Sequence, residues 1–206
     1  MNLIKDGLFI TIEGGEGSGK TTTAKAVVDI LNSKGYSAVY FREPGSNETA
    51  EKIRDIAVNT PNIDPYVQLL LFSASRASII DDIKAALDEG KIVIMDRYVL
   101  STMVYQGHVA GIPMYHINRI TAIATKGLRR PDMEFILDIP AEIGLERIRA
   151  NGREINEMDK LDISFHEKVN DAFKYSSYSY ARHVIDATQS KEEVVNQIID
   201  CIKFIE

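Results

Sequence analysis

Short, almost unbroken apolar runs alternate along this chain with longer stretches in which apolar positions return every three or four residues. The runs "LFITIE" (8–13), "SAVYF" (37–41), "KIVIMD" (91–96), "MEFILD" (133–138) and "RHVID" (182–186) predict strands. Runs this apolar, with little alternation, suit a parallel sheet covered on both faces. Helical periodicity predicts helices near 19–33, 47–58, 65–89, 101–125, 141–150 and 159–175. A last segment, 191–205, sets Val194, Val195, Ile198, Ile199, Ile202 and Ile205 on one helical face. Strand–helix alternation of this kind predicts an α/β fold with right-handed crossovers.

A length of 206 residues, 45% of them hydrophobic, suits one domain spanning 1–206 with one real core. The net charge of −6 argues against a broad nucleic-acid surface but leaves room for a local cationic pocket. A single cysteine, Cys201, excludes an intrachain disulfide and a Cys-rich metal site, so a reducing, cytoplasmic setting is expected. The opening "MNLIKDGLFI" has no signal-peptide pattern. No apolar run approaches the roughly 20 residues of a membrane span, so no membrane partner is expected. His108, His116, His166 and His183 lack metal-ligand spacing and read as structural or surface residues.

The first strand runs straight into "GGEGSGKT", which fits G-x-x-x-x-G-K-[ST] with Gly14, Gly19, Lys20 and Thr21 at its fixed positions. A phosphate chain needs several backbone N–H donors converging on one point, and glycines let the chain curl that tightly. The following helix adds its free N–H groups and positive dipole end. Lys20 would reach terminal phosphates, and the Thr21 hydroxyl would ligate a magnesium ion (Mg2+). The competing reading is an ordinary glycine-rich turn. The required context, a strand before and a helix after, favours phosphate binding.

Asp96 ends an apolar strand, where the second acid of such a site should hold Mg2+ directly or through water; the simpler reading is a helix-capping acid. Arg97 follows at the sheet edge where parallel folds bind ligands, and its planar fork suits a phosphate. "FREPG" places Arg42 after the second strand, and Arg54 lies on the next helix. Phe72 and Arg76 are four residues apart, as are Thr102 and Gln106, so each pair shares a helical face. An aromatic ring, a guanidinium, a hydroxyl and an amide together suit a flat heterocycle, one stacking and three bonding its edge. Taken singly, Phe72 reads as core and Arg76 as a solvated charge. Beside a phosphate loop they point to a second nucleotide held opposite the first.

Across nearly its whole length the chain resembles the thymidylate kinase family. The resemblance lies in "FITIEGGEGSGKTTT", "REPG", "LLLFSASR", "DRYVLSTMVYQG", "RRPD" and "ERIRANGREINEMD". It implies a P-loop NTPase fold, a five-stranded parallel sheet flanked by helices, with a short lid at about 147–160. It implies ATP and Mg2+ as cofactors, deoxythymidine monophosphate as acceptor and a homodimer. ATP would lie on Gly14, Gly15, Glu16, Gly17, Ser18, Gly19, Lys20, Thr21 and Thr22, with Glu16 facing the acceptor's 3′-hydroxyl. Arg42, Arg54 and Arg97 would surround the acceptor phosphate, with Glu43 nearby. Phe72 would stack on thymine, with Arg76, Thr102 and Gln106 at its edge and Tyr105 beside the deoxyribose; Ser101 is also expected among the substrate-binding residues. Arg147, Arg149 and Arg153 fall in the lid and would supply the cation that Glu16, Gly17 and Ser18 do not.

The chain departs from the family's usual pattern at Ser46, in "HVAGIP" after "YQG", and at Glu157 in "NEMD". Two rival readings remain at this stage. One is a kinase of another deoxynucleoside monophosphate or of a nucleoside. The other is a P-loop switch ATPase, against which the chain has no N-K-x-D guanine-reading motif.

Overall fold

The computed structural model describes residues 6–150, 152 and 157–203. Five strands, β1 (Leu8–Gly14), β2 (Ala38–Arg42), β3 (Ile92–Asp96), β4 (Met133–Asp138) and β5 (Ala181–Asp186), form one parallel sheet. Their order is β2-β3-β1-β4-β5. β1 sits at the centre, where the chain turns from building one side to building the other, so its C-terminal end opens at the switch point where parallel sheets bind ligands.

Alternation within β1 explains why both faces are covered. Leu8, Ile10 and Ile12 face one core layer with Ala24, Val27 and Leu31 of α1 (Lys20–Ser33). Phe9 faces the other with Val93 and Met95, under Ile79, Ile80 and Ile83 of α3 (Pro65–Asp88). Between α1 and α3 lies α2 (Glu48–Asn59), capped by the Asn47 side chain, which accepts from the Ala50 N–H at 2.8 Å. α3 starts with Pro65 at its first position behind an Asp64 cap.

The helix expected over 101–125 is broken in the structure. α4 (Val99–Thr102) passes into a π-helical stretch, Met103–Val109, and a new helix, α5 (Met114–Ala124), starts after a gap. The cause is local: Gly111 takes a left-handed φ of +78°, and Pro113 precedes the new helix. The periodicity ran through this gap, but the backbone does not. α6 (Ala141–Ala150), α7 (Ile163–Tyr175) and α8 (Lys191–Lys203) complete the described helices. In α8, Val194, Val195, Ile198, Ile199 and Ile202 join the core beside α1; Ile205 lies outside the described residues.

Candidate active site

α1 begins at Lys20 behind Gly19, which has no side chain to cap the helix. The first-turn N–H groups are therefore left for a ligand, as an anion site requires. Lys20 folds back over the loop and donates to the Gly15 carbonyl at 2.6 Å and to Ser18 Oγ at 3.2 Å. Burial, with Arg97 adding repulsion, pulls the Lys20 ammonium down to about 7. The loop rests on α6 by a close backbone approach. A Cβ at Gly17, which has φ +73°, would lie 2.0 Å from the Gly144 carbonyl oxygen. A Cβ at Gly144 would in turn lie 2.3 Å from the Glu16 carbonyl oxygen, so neither position admits a side chain.

Arg97 is the hub of the site. It holds a left-handed φ of +67°, unusual for a residue with a side chain. Glu13 fixes this turn from the end of β1: it accepts from the Tyr98 N–H at 2.7 Å and from Ser101 Oγ at 2.6 Å. Sequence reasoning saw Glu13 only as a strand-terminal acid. The Arg97 guanidinium donates to Glu16 at 2.9 Å, to Ser101 Oγ at 3.2 Å and to the Gly14 carbonyl at 3.3 Å. Tyr105 donates to the other Glu16 oxygen at 2.5 Å. Burial works against the Glu16 charge, but Arg97 and Lys20 outweigh it and hold the carboxyl below its usual range. His166, read from sequence as structural or surface, is buried with Nδ1 3.9 Å from Glu16 Oε2, and neither ring nitrogen is hydrogen-bonded among the described residues.

Beside this hub, Thr21 Oγ1 donates to Asp96 Oδ2 at 2.5 Å, and Tyr40 reaches the same oxygen at 3.1 Å. A hydroxyl and a carboxylate so placed are hard oxygen donors of the kind Mg2+ takes. Among the described residues there is no group of three or more His, Cys, Asp or Glu side chains suited to a metal. An ion here would draw its remaining ligands from water and phosphate.

The other end of the site is built by α3 and the π-helical stretch. Arg76, 1% exposed, meets Glu43 through three contacts of 2.6–3.0 Å and donates to Thr102 Oγ1 at 3.0 Å. Its Nη1 has no hydrogen-bond partner among the described residues. Burial pushes the Glu43 carboxyl up, and Arg76 opposes that shift. Gln106 is paired with Gln68, a residue the sequence reading passed over although it lies one turn before Phe72 on the Gln68, Phe72, Arg76 stripe.

A cavity of about 360 Å³ joins the two ends. Its walls include Glu16, Gly17, Gly19, Lys20, Thr21, Thr22, Arg42, Glu43, Arg54, Phe72, Arg76, Asp96, Arg97, Ser101, Thr102, Tyr105 and Gln106. Arg42 is bridged to Glu51 at 2.5 Å, and Arg54 donates to the Pro44 carbonyl at 3.1 Å. The loop residues Gly14, Gly15 and Ser18 lie behind this wall, tied to it through Arg97 and Lys20. Arg147 and Arg149 are not among the lining residues, although Ile148 between them is. Arg147 instead donates to the Ala187 carbonyl at 2.8 Å, just beyond β5, and Arg149 is exposed. Arg153 lies outside the described residues.

Comparison with known proteins agrees with this architecture. The family model described as Thymidylate kinase matches residues 12–198. A thymidylate kinase of Staphylococcus haemolyticus (strain JCSC1435) is 39% identical over 197 residues, 94% of this chain and 96% of the relative. A thymidylate kinase of Shouchella clausii (strain KSM-K16) is 38% identical over 203 residues, 96% of this chain and 95% of the relative. With a five-stranded parallel sheet, a phosphate loop at its central strand and similarity over nearly its full length, this chain belongs to the thymidylate kinase family.

Proposed function

We propose that this chain transfers the terminal phosphoryl group of ATP to the phosphate of deoxythymidine monophosphate. The observation that carries this reading is one cavity reaching from Lys20 and Thr21 to Phe72, Arg76 and Gln106. Two anionic groups meeting head to head repel, so the protein's task is to align them and offset charge in flight. The uncapped start of α1 and Lys20 receive the ATP phosphates. Arg42, Arg54 and Arg97 receive the acceptor phosphate, Ser101 steadying Arg97. Phe72 stacks on thymine, while Arg76, Thr102 and Gln106 meet its edge. Thr21 and Asp96 would hold Mg2+, which when bound neutralises phosphate oxygens. No strong base is required, because a phosphate monoester is largely ionised at neutral pH, its second pKa being about 6.

The segment 147–160 is the proposed lid of a single domain spanning 1–206, excluding water during transfer. The lining by Ile148 and Met158 supports its position over the cavity. A homodimer is proposed as well. Ile56, Val67 and Leu70, each about half exposed on α2 and α3, offer apolar surface that a second copy would cover. No described helix is long and apolar enough to cross a membrane; the cytoplasm is the proposed compartment.

The test is ADP release measured across a panel of nucleoside monophosphates. Turnover should depend on the acceptor and be highest with deoxythymidine monophosphate. A different best acceptor would favour another nucleotide kinase. Slow hydrolysis indifferent to the acceptor would favour a switch ATPase.

A further inference from the structure

Of the groups at the ring end of the cavity, the Gln106 amide is the ambiguous one. A guanidinium only donates, so Arg76 presents the same face to any base. An amide donates at one end and accepts at the other, and a half-turn exchanges the two. Thymine offers an N–H and a neighbouring carbonyl along its edge. Cytosine offers an acceptor nitrogen and an amino group in the same places. An amide free to turn serves either.

The Gln106 amide is not free. Its Nε2 donates to Gln68 Oε1 at 2.9 Å. Gln68 is fixed in turn, because its Nε2 donates to the Ala57 carbonyl of α2 at 3.1 Å. A backbone carbonyl only accepts, so it dictates which end of Gln68 faces it. The direction passes from Ala57 through Gln68 to Gln106 and leaves Gln106 Oε1 as the end that Gln68 does not engage. We propose that Gln68 is a positioning residue for base selection: it locks the Gln106 amide with its oxygen toward the acceptor base, matching the N–H of thymine and opposing cytosine. Gln68 lies on the stripe that carries Phe72 and Arg76, so the lock is built into the helix that forms the pocket. Uracil shares the thymine edge, and the lock does not separate the two. The inference rests on the proposed thymidylate acceptor.

The experiment compares kcat/KM for deoxythymidine and deoxycytidine monophosphates in wild type, Gln68→Met and Gln68→Glu. Gln68→Met keeps the length and removes the amide. The thymine-to-cytosine ratio should fall about five- to tenfold, the scale of one neutral hydrogen bond, mainly through a lower KM for the cytidine acceptor. Gln68→Glu keeps an acceptor for Gln106 Nε2 but turns its other oxygen against the Ala57 carbonyl, so it should hold the ratio closer to wild type than Gln68→Met does. A side chain that merely fills space would give the opposite order, since a half-buried charge disturbs packing more than methionine does. An unchanged ratio in folded Gln68→Met overturns the lock even if Gln68→Glu does not fold, and a lower ratio in folded Gln68→Glu than in folded Gln68→Met overturns it as well. A wild type without thymine preference overturns the proposed acceptor as well.

Discussion

The Tyr105 hydroxyl donates to the Glu16 carboxylate at 2.5 Å, joining the π-helical stretch to the phosphate loop. The Tyr105 ring also lies 5.4 Å from the Arg97 guanidinium and is almost fully buried. A phenol held this firmly forms a wall rather than a swinging side chain. The prediction is that this wall excludes a 2′-hydroxyl, a clash against the wrong sugar. Tyr105→Ala should narrow the preference for deoxyribo- over ribothymidine monophosphate by about tenfold or more, the scale of relieved overpacking, mainly by gain on the ribo form. Tyr105→Phe should keep the preference. If Tyr105→Ala lowered both activities in proportion, the ring would be packing only.

Lys20→Ala should lower kcat by at least about 10²-fold, as expected for a lost electrostatic contact to the transferring group. Its folding midpoint should not fall. Burial depresses the Lys20 pKa to about 7, so its charge opposes folding and adds nothing to it. Turnover near wild type in a folded variant would remove Lys20 from the mechanism.

The three arginines of the proposed lid should separate. Arg147 is tied to the Ala187 carbonyl, so Arg147→Ala should cost about 1 kcal/mol of stability and leave kcat near wild type. Arg149→Ala or Arg153→Ala should lower kcat about tenfold or more with little change in acceptor binding, the mark of contacts made in the transition state. Wild-type kcat in both would show that the segment supplies no catalytic charge.

Glu134 predicts a pH signature unrelated to turnover. It is 1% exposed on β4, where burial and the neighbouring Glu13 raise its pKa to about 7. Between the ordinary carboxyl value of 4.5 and about 7 the folded chain therefore holds a proton that the unfolded chain has released. Stability falls as pH rises through that window, and the cost is constant above it. Glu134→Gln keeps an acceptor for the Tyr178 N–H and removes the charge. Its advantage in urea unfolding should grow from pH 4.5 to pH 7, by about 3 kcal/mol at most. A difference that does not vary with pH would mean Glu134 is already ionised in the fold.

What the sequence made legible followed from burial. The five strands stand out because a parallel sheet covered on both faces needs apolar residues at successive positions. The phosphate loop stands out because its backbone geometry restricts the residues it accepts. Three features were hidden. The break at Gly111 to Pro113 interrupts a periodicity that continues on both sides, so pattern alone bridged it. Gln68 drew no reading at all, since its partner Gln106 is 38 positions away. His166 gave no signal, because its neighbour Glu16 is brought to it only by the packing of α7 against the loop.

The contact between Gly17 and Gly144 has a historical side. A lineage adding a cation to its phosphate loop here would meet closed doors. Position 17 is occupied by another helix's backbone, and Ser18 is buried with its hydroxyl bonded to Gly15. Position 16 is held by an acid already committed to Arg97 and Tyr105. A side chain at position 17 would require shifting α6, whose last turn already lies within 147–160. A side chain at position 17 therefore cannot be added without moving the base of the proposed lid, which couples the composition of the loop to the placement of that segment.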